Sequence, residues 1–421
     1  MLKQPGNSDT VLQATSQWEP SPLGRSDVKK SLECNSLQNL NTVPRLPAMP
    51  SILDQWRRPY TAGPLTADEA EQYWSHGYVV KQGCLQMQDL QPSLEAIARR
   101  VDDLAAKLQA AGLISDPCSS LGVFQRLAAL EQQFPDAGVL VHKDGRLPPE
   151  FAALWSHPTL LAIAQQLLGP HVGGHPSWNV RAKTPRAEGG DVPWHQDSAY
   201  CSPDARQTLQ VTAWIPLLDV DAANGCMQLL RGGHLAGRTV AHTAASGNTW
   251  HVAMDEAAAA AELGLDLAAD LVTVPMKAGD VLLFNNLIPH RSLDNTSDRI
   301  RWSLDLRWQH PDLPDGAYGL KRSIRMTDPA DPSYVIPWAG WADVDKKTGQ
   351  QQQQQQQQQG SDDDLDSTET GVAAAAAAAD VEDPLSSVLV GPWLDLWPIT
   401  HHNKHTRAWL AMKGSAAITD Q

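Results

Sequence analysis

Two stretches decide how this sequence is interpreted: Pro193-Trp-His195-Gln-Asp197 and Gly279-Asp-Val-Leu-Leu-Phe-Asn-Asn-Leu-Ile-Pro-His290. In an extended strand, residues i and i+2 point to the same side, so His195 and Asp197 can bind one metal ion together. The second stretch has the form of a turn, an apolar strand and a histidine at the strand's exit. We therefore expect His195, Asp197 and His290 to form one metal site.

An H-x-D pattern alone is a weak signal, because a surface turn with a stray histidine gives the same letters. The second histidine, His290, favours a metal site over a surface turn, because the strands of a β-sandwich can bring His290 next to His195 and Asp197. Two histidines and one carboxylate on one face of a metal leave three positions open. That set is diagnostic of non-haem iron(II) oxygenases, and the three residues are accordingly predicted iron ligands.

Arg301 opens the run Arg301-Trp-Ser-Leu-Asp-Leu-Arg-Trp308, in which polar and apolar residues alternate. This alternation predicts a strand with one wet face and one buried face. A guanidinium near the metal suits a dicarboxylate co-substrate, because its planar fork can donate two hydrogen bonds to the distal carboxylate. Arg307, on the same face, is interpreted as one partner of a surface ion pair.

Between His175 and Gln309, short runs rich in Val, Ile, Leu and Trp are separated by Gly, Pro and Asn clusters. Many short strands with turn signals predict a mainly β jelly-roll or small barrel. The Ala-rich stretch 255–269 is predicted to be a helical insertion. The predicted strands are 177–183, 208–217, 226–230, 271–274, 280–284 and 299–309.

Flanking helices are predicted ahead of the strands. The capping box Thr66-Ala-Asp-Glu69 begins a helix that ends at Gly77, and a short strand follows at 78–80. Apolar residues at helical spacing predict a helix over 89–111. Further helical pieces are expected at 150–155 and 158–168.

The chain divides into four predicted parts. Residues 1–60 lack periodicity and are interpreted as a flexible leader, and 61–342 as the folded domain. Residues 343–387 form a low-complexity surface insertion with Gln, acidic and Ala tracts. Apolar sequence resumes in 388–421, which we expect to pack back on the domain.

The formal charge is −15, from 33 basic and 48 acidic residues, which argues against nucleic acid or membrane partners. The five cysteines are odd in number and form no CxxC, so a reducing, intracellular compartment is expected, cytoplasmic by default. Organelle import stays open, because the first fifty residues are rich in Ser, Asn and Gln. The oligomeric state is not predicted.

Taken together, these elements resemble the phytanoyl-CoA dioxygenase family over roughly residues 66–310 and, less firmly, in 391–405. Besides the H-x-D, the resemblance is carried by Val211-Thr-Ala-Trp-Ile-Pro-Leu217, Asn224-Gly-Cys-Met-Gln-Leu-Leu-Arg-Gly-Gly-His234, Gly279-Asp280, His290-Arg-Ser292 and Arg301. One departure is Arg231-Gly-Gly, where the family tends to have Pro-Gly-Ser before the histidine.

The resemblance implies a mainly β fold with a double-stranded β-helix core, iron on His195, Asp197 and His290, and 2-oxoglutarate on Arg301. It also implies Ser292 beside the co-substrate carboxylate and Trp214 lining the site. The implied activity is hydroxylation of a small organic substrate by O2, because related halogenases lack the carboxylate ligand. Two alternatives remain open: a catalytically silent binding module, and a cupin-like metalloenzyme that does not use 2-oxoglutarate.

Two further groups of polar residues are candidates for binding. Asn179, Arg181 and Lys183 share one face of a predicted strand, where they contact substrate or 2-oxoglutarate or simply form a solvated face. The histidines 401, 402 and 405 form a patch that is either a second metal site or an exposed surface. His175 and His234 are expected in turns or in the core.

Overall fold

The computed structural model describes residues 51–186, 192–346 and 383–414, together with position 378. In chain order, helices α1 to α11 span Ile52–Trp56, Ala67–His76, Met87–Ala110, Arg126–Gln133, Ala137–Lys143, Pro149–Trp155, Pro158–Leu168, Glu256–Leu263, Leu267–Asp270, Trp338–Trp341 and Lys404–Met412. Strands β1 to β12 span Tyr78–Lys81, Gly173–Gly174, Asn179–Lys183, Val211–Pro216, Met227–Leu230, Thr243–Ala244, Val252–Ala253, Leu271–Val274, Val281–Asn285, His290–Ser292, Arg301–Gln309 and Ile324–Arg325.

Two antiparallel sheets form the core of the described chain. The larger sheet has seven strands in the order β1-β9-β4-β11-β2-β12, with β3 also paired to β11. The smaller sheet has three strands in the order β10-β5-β8. Non-consecutive strands lie side by side in both sheets, as in a jelly-roll. The predicted mainly β class with a double-stranded β-helix core is confirmed.

An apolar cluster joins the inner faces of the two sheets. The larger sheet contributes Trp214, Leu282 and Phe284, and the smaller sheet contributes Met227 and Leu229. Alternate residues on the same strands point the other way, because successive side chains of a strand face opposite sides. The sandwich therefore has an interior that is separate from the layer under the helices.

The outer face of the larger sheet packs against the helices. Trp302, Leu304, Leu306 and Trp308 of β11 belong to one buried cluster with the apolar stripe of α3. That stripe follows the 3.6-residue period of a helix and consists of Leu90, Leu94, Ile97, Val101, Leu104 and Leu108. The predicted flanking helices thus cover the sheet that carries β11.

The strands predicted from sequence are all present, with ends shifted by at most three residues. The predicted helical insertion at 255–269 is split into α8 and α9, because Gly264 adopts a left-handed conformation (φ 71°) that ends α8. Residues 52–56, which the sequence analysis placed in the flexible leader, form α1. Trp56 is buried there, and its indole Nε1 donates a hydrogen bond of 2.8 Å to the carbonyl of Gln207.

The polar face of β11 differs from its sequence interpretation. We expected a solvent-exposed face, but all nine residues of the strand are buried. Residues 301, 303, 305 and 307 point into the interior between the sheets, and residues 301, 305 and 307 line a cavity there. Periodicity identifies two faces of a strand, but it does not say whether the polar face meets bulk water or a cavity.

The segment 383–414 packs on the domain. The indole of Trp393 donates a hydrogen bond of 3.2 Å to the carbonyl of Trp250, and that of Trp397 donates one of 2.9 Å to the carbonyl of Ala199. Most of the predicted leader and of the low-complexity insertion lies outside the described residues. Among the described helices, none is long and apolar enough to cross a membrane.

Gly77 and Gly264 offer a matched test of the packing around α2. Both follow a helix with positive φ (87° and 71°), but a Cβ on Gly77 would lie 2.6 Å from His234 Nδ1, whereas a Cβ on Gly264 meets nothing within 4 Å. We expect Gly264→Ala to lower the free energy of unfolding by about 1 kcal/mol through backbone strain alone. Gly77→Ala should lower the free energy of unfolding by about 1–3 kcal/mol more than Gly264→Ala does, because the new Cβ overpacks against its neighbours. Urea denaturation measures both variants. Equal losses in both variants would contradict this packing.

Candidate metal centre and cavity

The two predicted histidine ligands lie side by side because their backbones pair. The amide of His195 donates to the carbonyl of His290 at 3.0 Å, and the amide of His290 donates back at 2.9 Å. His290 begins β10, whereas Asp197 begins a short 3-10 turn, Asp197–Tyr200. Gln196 between them is extended (φ −110°, ψ 136°), so His195 and Asp197 point to the same side, as expected from alternation along an extended segment. The strand pairing itself ends at His195, and the turn begins at Asp197.

The three side chains converge on one point. The Nε2 atoms of His195 and His290 lie 3.6 and 3.9 Å from Oδ1 of Asp197, and one ligand atom from each residue falls within 4.8 Å of the others. All three residues are buried. This is the separation of a compact metal-binding set with three protein ligands on one side.

Backbone carbonyls orient both imidazoles. Nδ1 of His195 lies 2.9 Å from the carbonyl of Pro193, and Nδ1 of His290 lies 3.0 Å from that of Ile288. Since a carbonyl only accepts, each Nδ1 carries a proton, and Nε2 is the ring nitrogen that faces Asp197 and would bind a metal. Burial, reinforced by the neighbouring His195, lowers the pKa of His290 to about 3. The imidazole of His290 is therefore neutral and able to ligate at physiological pH.

Arg307 clamps the carboxylate of the triad. Its Nε and one terminal nitrogen each donate a hydrogen bond of 3.0 Å to Asp197, and Thr212 Oγ1 donates another of 3.1 Å. Arg307 is only 5% exposed, so the expectation of a surface ion pair is wrong. The available signal was its position on the same face of the strand as Arg301.

The charge of Asp197 depends on this clamp. Burial by itself would raise the pKa of the carboxyl. Arg307 outweighs that effect and holds the pKa well below its usual range. A fork that donates two charge-assisted hydrogen bonds is the arrangement that best compensates a buried carboxylate. Asp197 thus stays ionised in a dry interior.

Arg301 lies in the same interior and is 2% exposed. One terminal nitrogen donates a hydrogen bond of 2.7 Å to Ser303, and the guanidinium lies 5.4 Å from the ring centre of Trp214. Its Nε is buried and has no hydrogen-bond partner in the described chain. Burial lowers the pKa of Arg301 to about 10, which still leaves it cationic. A buried cation with an unused donor is a site for an anion.

Ser292 and Lys183 lie beside Arg301. The Lys183 amino group donates a hydrogen bond of 3.0 Å to Ser292 Oγ and others to nearby carbonyls, including that of Leu293. Lys183 is also the direct cross-strand partner of Arg301 in the pairing of β3 with β11. Two of the weaker candidates, Arg181 and Asn179, follow on the same face of β3 and contact the carboxylate of Asp305.

A cavity of about 340 Å³ connects these groups. Its wall includes His195 and His290 together with Arg301, Ser292 and Trp214. That volume lies within the range of small-molecule pockets. A second lobe of about 150 Å³ shares His195 and Arg181 with the first and extends toward the segment 383–414. This lobe was not predictable from sequence patterns, because its wall comes from segments as far apart in the chain as His142 and Trp393.

Among the described residues, none of the remaining histidine candidates belongs to the metal-binding cluster. His234 is buried and hydrogen-bonded to the carbonyl of Trp74 at 2.9 Å, and His175 is buried beside Gln210. His405 is buried and accepts a hydrogen bond of 2.9 Å from the Leu389 amide, whereas His401 and His402 are exposed. Within the described residues, the triad is the group that meets the geometric requirement for a metal site.

Two antiparallel sheets around a buried His-Asp-His cluster define a jelly-roll oxygenase of the non-haem iron class. A family model described as phytanoyl-CoA dioxygenase matches residues 73–303, more than half of the sequence, and the chain belongs to that family. This membership confirms the resemblance and the predicted enzyme class. It agrees with the predicted cofactors: iron, 2-oxoglutarate and O2.

Individual proteins with a named activity share less than 30% sequence identity with this chain. A 1-deoxypentalenic acid 11-beta-hydroxylase of Streptomyces arenae is 28% identical over 245 residues, covering 56% of this chain and 78% of its own length. A phytanoyl-CoA dioxygenase of Arabidopsis thaliana is 27% identical over 150 residues, covering 35% and 48%. A solved structure of EctD from S. alaskensis with 2-oxoglutarate and 5-hydroxyectoine has a TM-score of 0.43 at 19% identity, covering 69% and 88%.

The Arg307–Asp197 clamp can be compared with the more exposed pair Arg325–Asp312, which is 2.7 Å long. We expect Arg307→Gln to lower the stability of the metal-free protein by about 3–5 kcal/mol, because it leaves a buried carboxylate unpaired. Arg325→Gln should cost at most about 1 kcal/mol, since its pair is screened by water. Thermal and urea unfolding measure both. An Arg307→Gln loss no larger than that of Arg325→Gln would show that the clamp is not needed.

Proposed function

We propose that this protein is an iron(II)- and 2-oxoglutarate-dependent dioxygenase that hydroxylates a small organic substrate and releases succinate and CO2. The observation that carries the proposal is the convergence of His195, Asp197 and His290 on one point, with the unsatisfied Arg301 in the same cavity. The Streptomyces relative is named as a hydroxylase, which supports the same reaction type.

The donor set fits a ferrous ion. Two imidazoles and one carboxylate are the ligands of the facial triad, and the geometry of their Nδ1 hydrogen bonds aims both Nε2 atoms at Asp197. When bound, iron and 2-oxoglutarate supply the oxidising power that activates O2. His195, Asp197 and His290 would hold the ion on one side and leave its other positions to small molecules.

The cavity also fits a dicarboxylate. Arg301 is cationic, buried and has an unused Nε donor. An oxo-acid bound at the triad would place its far carboxylate against this guanidinium, where the Ser292 hydroxyl can donate a further hydrogen bond and Lys183, already bonded to Ser292 and Leu293, adds positive charge. Trp214 flanks the guanidinium and lines the same cavity. Because these groups are buried, the hydrogen bonds form in a low dielectric and discriminate strongly for an anion.

The clamp on Asp197 favours hydroxylation. A metal site that lacks its carboxylate can accept a halide instead, but this carboxylate is present, ionised and fixed by Arg307 and Thr212. The positions left open at the metal are then those required by the co-substrate and O2. The substrate itself would bind in the remaining space of the cavity.

The co-substrate role of Arg301 can be tested with Arg299 as a control. Arg299 is exposed, lies just before β11, and stacks its guanidinium on Phe124. We expect Arg301→Gln to raise the KM for 2-oxoglutarate at least tenfold, because a charge-assisted hydrogen bond contributes about 1.5–3 kcal/mol. Arg299→Gln should leave it unchanged. Iron-dependent succinate formation, measured with and without added substrate candidates, provides the readout.

The same assay separates the alternatives. A silent binding module would form no succinate above the background of a His290→Ala variant. A cupin-like metalloenzyme would consume O2 in a metal-dependent reaction without forming succinate, and it would tolerate Arg301→Gln. Either result would overturn the proposed function.

A further inference from the structure

Arg181 occupies the boundary between the two lobes of the cavity. It lies in the middle of β3, opposite Ser303 of β11, and its side chain is 20% exposed. The walls of both lobes include Arg181, whereas Arg301 lines the larger lobe and not the smaller one. Arg307 also lines both lobes, but it is committed to Asp197. Arg181 is therefore the arginine available to the space beside the metal triad that the co-substrate would leave open.

The guanidinium of Arg181 is anchored at one atom. Its Nε donates a hydrogen bond of 3.0 Å to Asp305 Oδ2, the same oxygen that accepts from Asn179 at 3.3 Å. In the described chain, its two terminal nitrogens donate to no group. By contrast, all three nitrogens of Arg307 are engaged, since the third donates to the carbonyl of Ser177 at 2.6 Å. The two terminal nitrogens of Arg181 can therefore donate hydrogen bonds to an acceptor on a bound ligand.

We propose that Arg181 binds a carboxylate of the substrate, an inference that rests on the proposed function. Two terminal nitrogens of a guanidinium match the two oxygens of a carboxylate and donate to both at once. Anchoring of Nε by Asp305 fixes the plane of the fork before the substrate arrives, so little conformational entropy is lost on binding. The carboxylate is thereby held at a defined place next to His195 and Asp197.

The walls of the smaller lobe indicate the rest of the substrate. Trp250 stacks on His142 with ring centres 5.1 Å apart and planes inclined by 22°, and Tyr200 lies beside Trp393 at 6.3 Å. Trp250 and Trp393 are joined by the hydrogen bond from the Trp393 indole. Aromatic faces of this kind bind apolar and cyclic bodies through area burial. The substrate class is accordingly a small carboxylic acid with a compact, ring-sized body that packs on these rings beside the polar His175 and His251 of the same wall.

Part of this wall lies outside the region that matches the family. Trp393 and Leu389 come from the segment 383–414, whereas the family model ends at residue 303. The hydrogen bond between Asn403 and the carbonyl of Thr249, 2.8 Å long, holds that segment against the loop that carries Trp250. The segment 383–414 therefore helps to determine which substrate body fits the lobe, while Arg181 binds the carboxylate of the substrate.

The test uses the full chain loaded with Ni(II), which does not turn over, and saturated with 2-oxoglutarate so that the co-substrate site is filled. The probes are three acids of increasing size, cyclohexanecarboxylate, benzoate and adamantane-1-carboxylate, each paired with its primary amide. Dissociation constants are measured by calorimetry and by quenching of tryptophan fluorescence. We expect at least one acid to bind tenfold or more tightly than its amide.

In Arg181→Gln this preference for the acid should fall to less than twofold, and Arg181→Lys should restore part of it. The dissociation constant of 2-oxoglutarate should change less than threefold in Arg181→Gln, unlike in Arg301→Gln. Arg299→Gln serves as the control for loss of surface charge. These two readouts separate a substrate anchor from a residue that merely supports the fold.

Three results would overturn the proposal. The first is that no acid outcompetes its amide in the wild-type protein. The second is that Arg181→Gln keeps the preference. The third is that Arg181→Gln weakens 2-oxoglutarate as strongly as Arg301→Gln does, which would assign Arg181 to the co-substrate. A wild-type protein that binds no 2-oxoglutarate overturns the proposed function instead, and its direct titration reports that failure separately.

Discussion

The site depends on the double hydrogen bond between Arg307 and Asp197. A carboxylate in a dry interior is unstable unless opposite charge and donors compensate for its lost hydration. Arg307 provides both at once and also fixes the plane of the carboxylate. Because Arg307 sits on β11, the strand at the middle of the larger sheet, the position of a metal ligand is tied to the most extensively paired element of the fold.

The same strand links the metal centre to both proposed anion sites. Its inner face carries Arg301, Asp305 and Arg307 at intervals of four and two residues. One strand therefore supplies the cation that we propose for the co-substrate, an anchor for Arg181 and the clamp on the triad. Two arginines share Asp305, since Arg307 also approaches it at 3.9 Å. The interior is therefore a connected network of charges in which each buried carboxylate has a cationic neighbour, the condition under which buried charges are tolerated.

The helix α2, the metal-binding triad and the two faces of β11 could be predicted from the sequence, because each depends on local residue patterns. The capping box at Thr66 and the glycine at 77 identify α2 because they satisfy the unpaired backbone groups at the helix ends. The triad is identifiable because few residue types bind iron and their spacing matches strands and turns. Alternation along 301–308 also correctly assigns the two faces of β11.

The rest of the site could not be predicted, because the alternation of polar and apolar residues along a strand does not show what each face of the strand contacts. The polar face of β11 meets a cavity rather than bulk water, so Arg307 became a clamp instead of a surface ion pair. The backbone pairing of His195 with His290 and the turn at Asp197 depend on contacts between distant segments. The wall formed by Trp250 and Trp393 likewise arises only when the end of the chain packs back on the domain.

The most direct test of this account is to locate the metal. Crystals of the full chain grown anaerobically with iron(II), and measured at the iron absorption edge, report each bound ion through its anomalous scattering. The account predicts one strong peak within coordination distance of His195, Asp197 and His290, with Arg307 still donating to the carboxylate. An iron peak elsewhere, or an empty triad in iron-saturated protein, would contradict it.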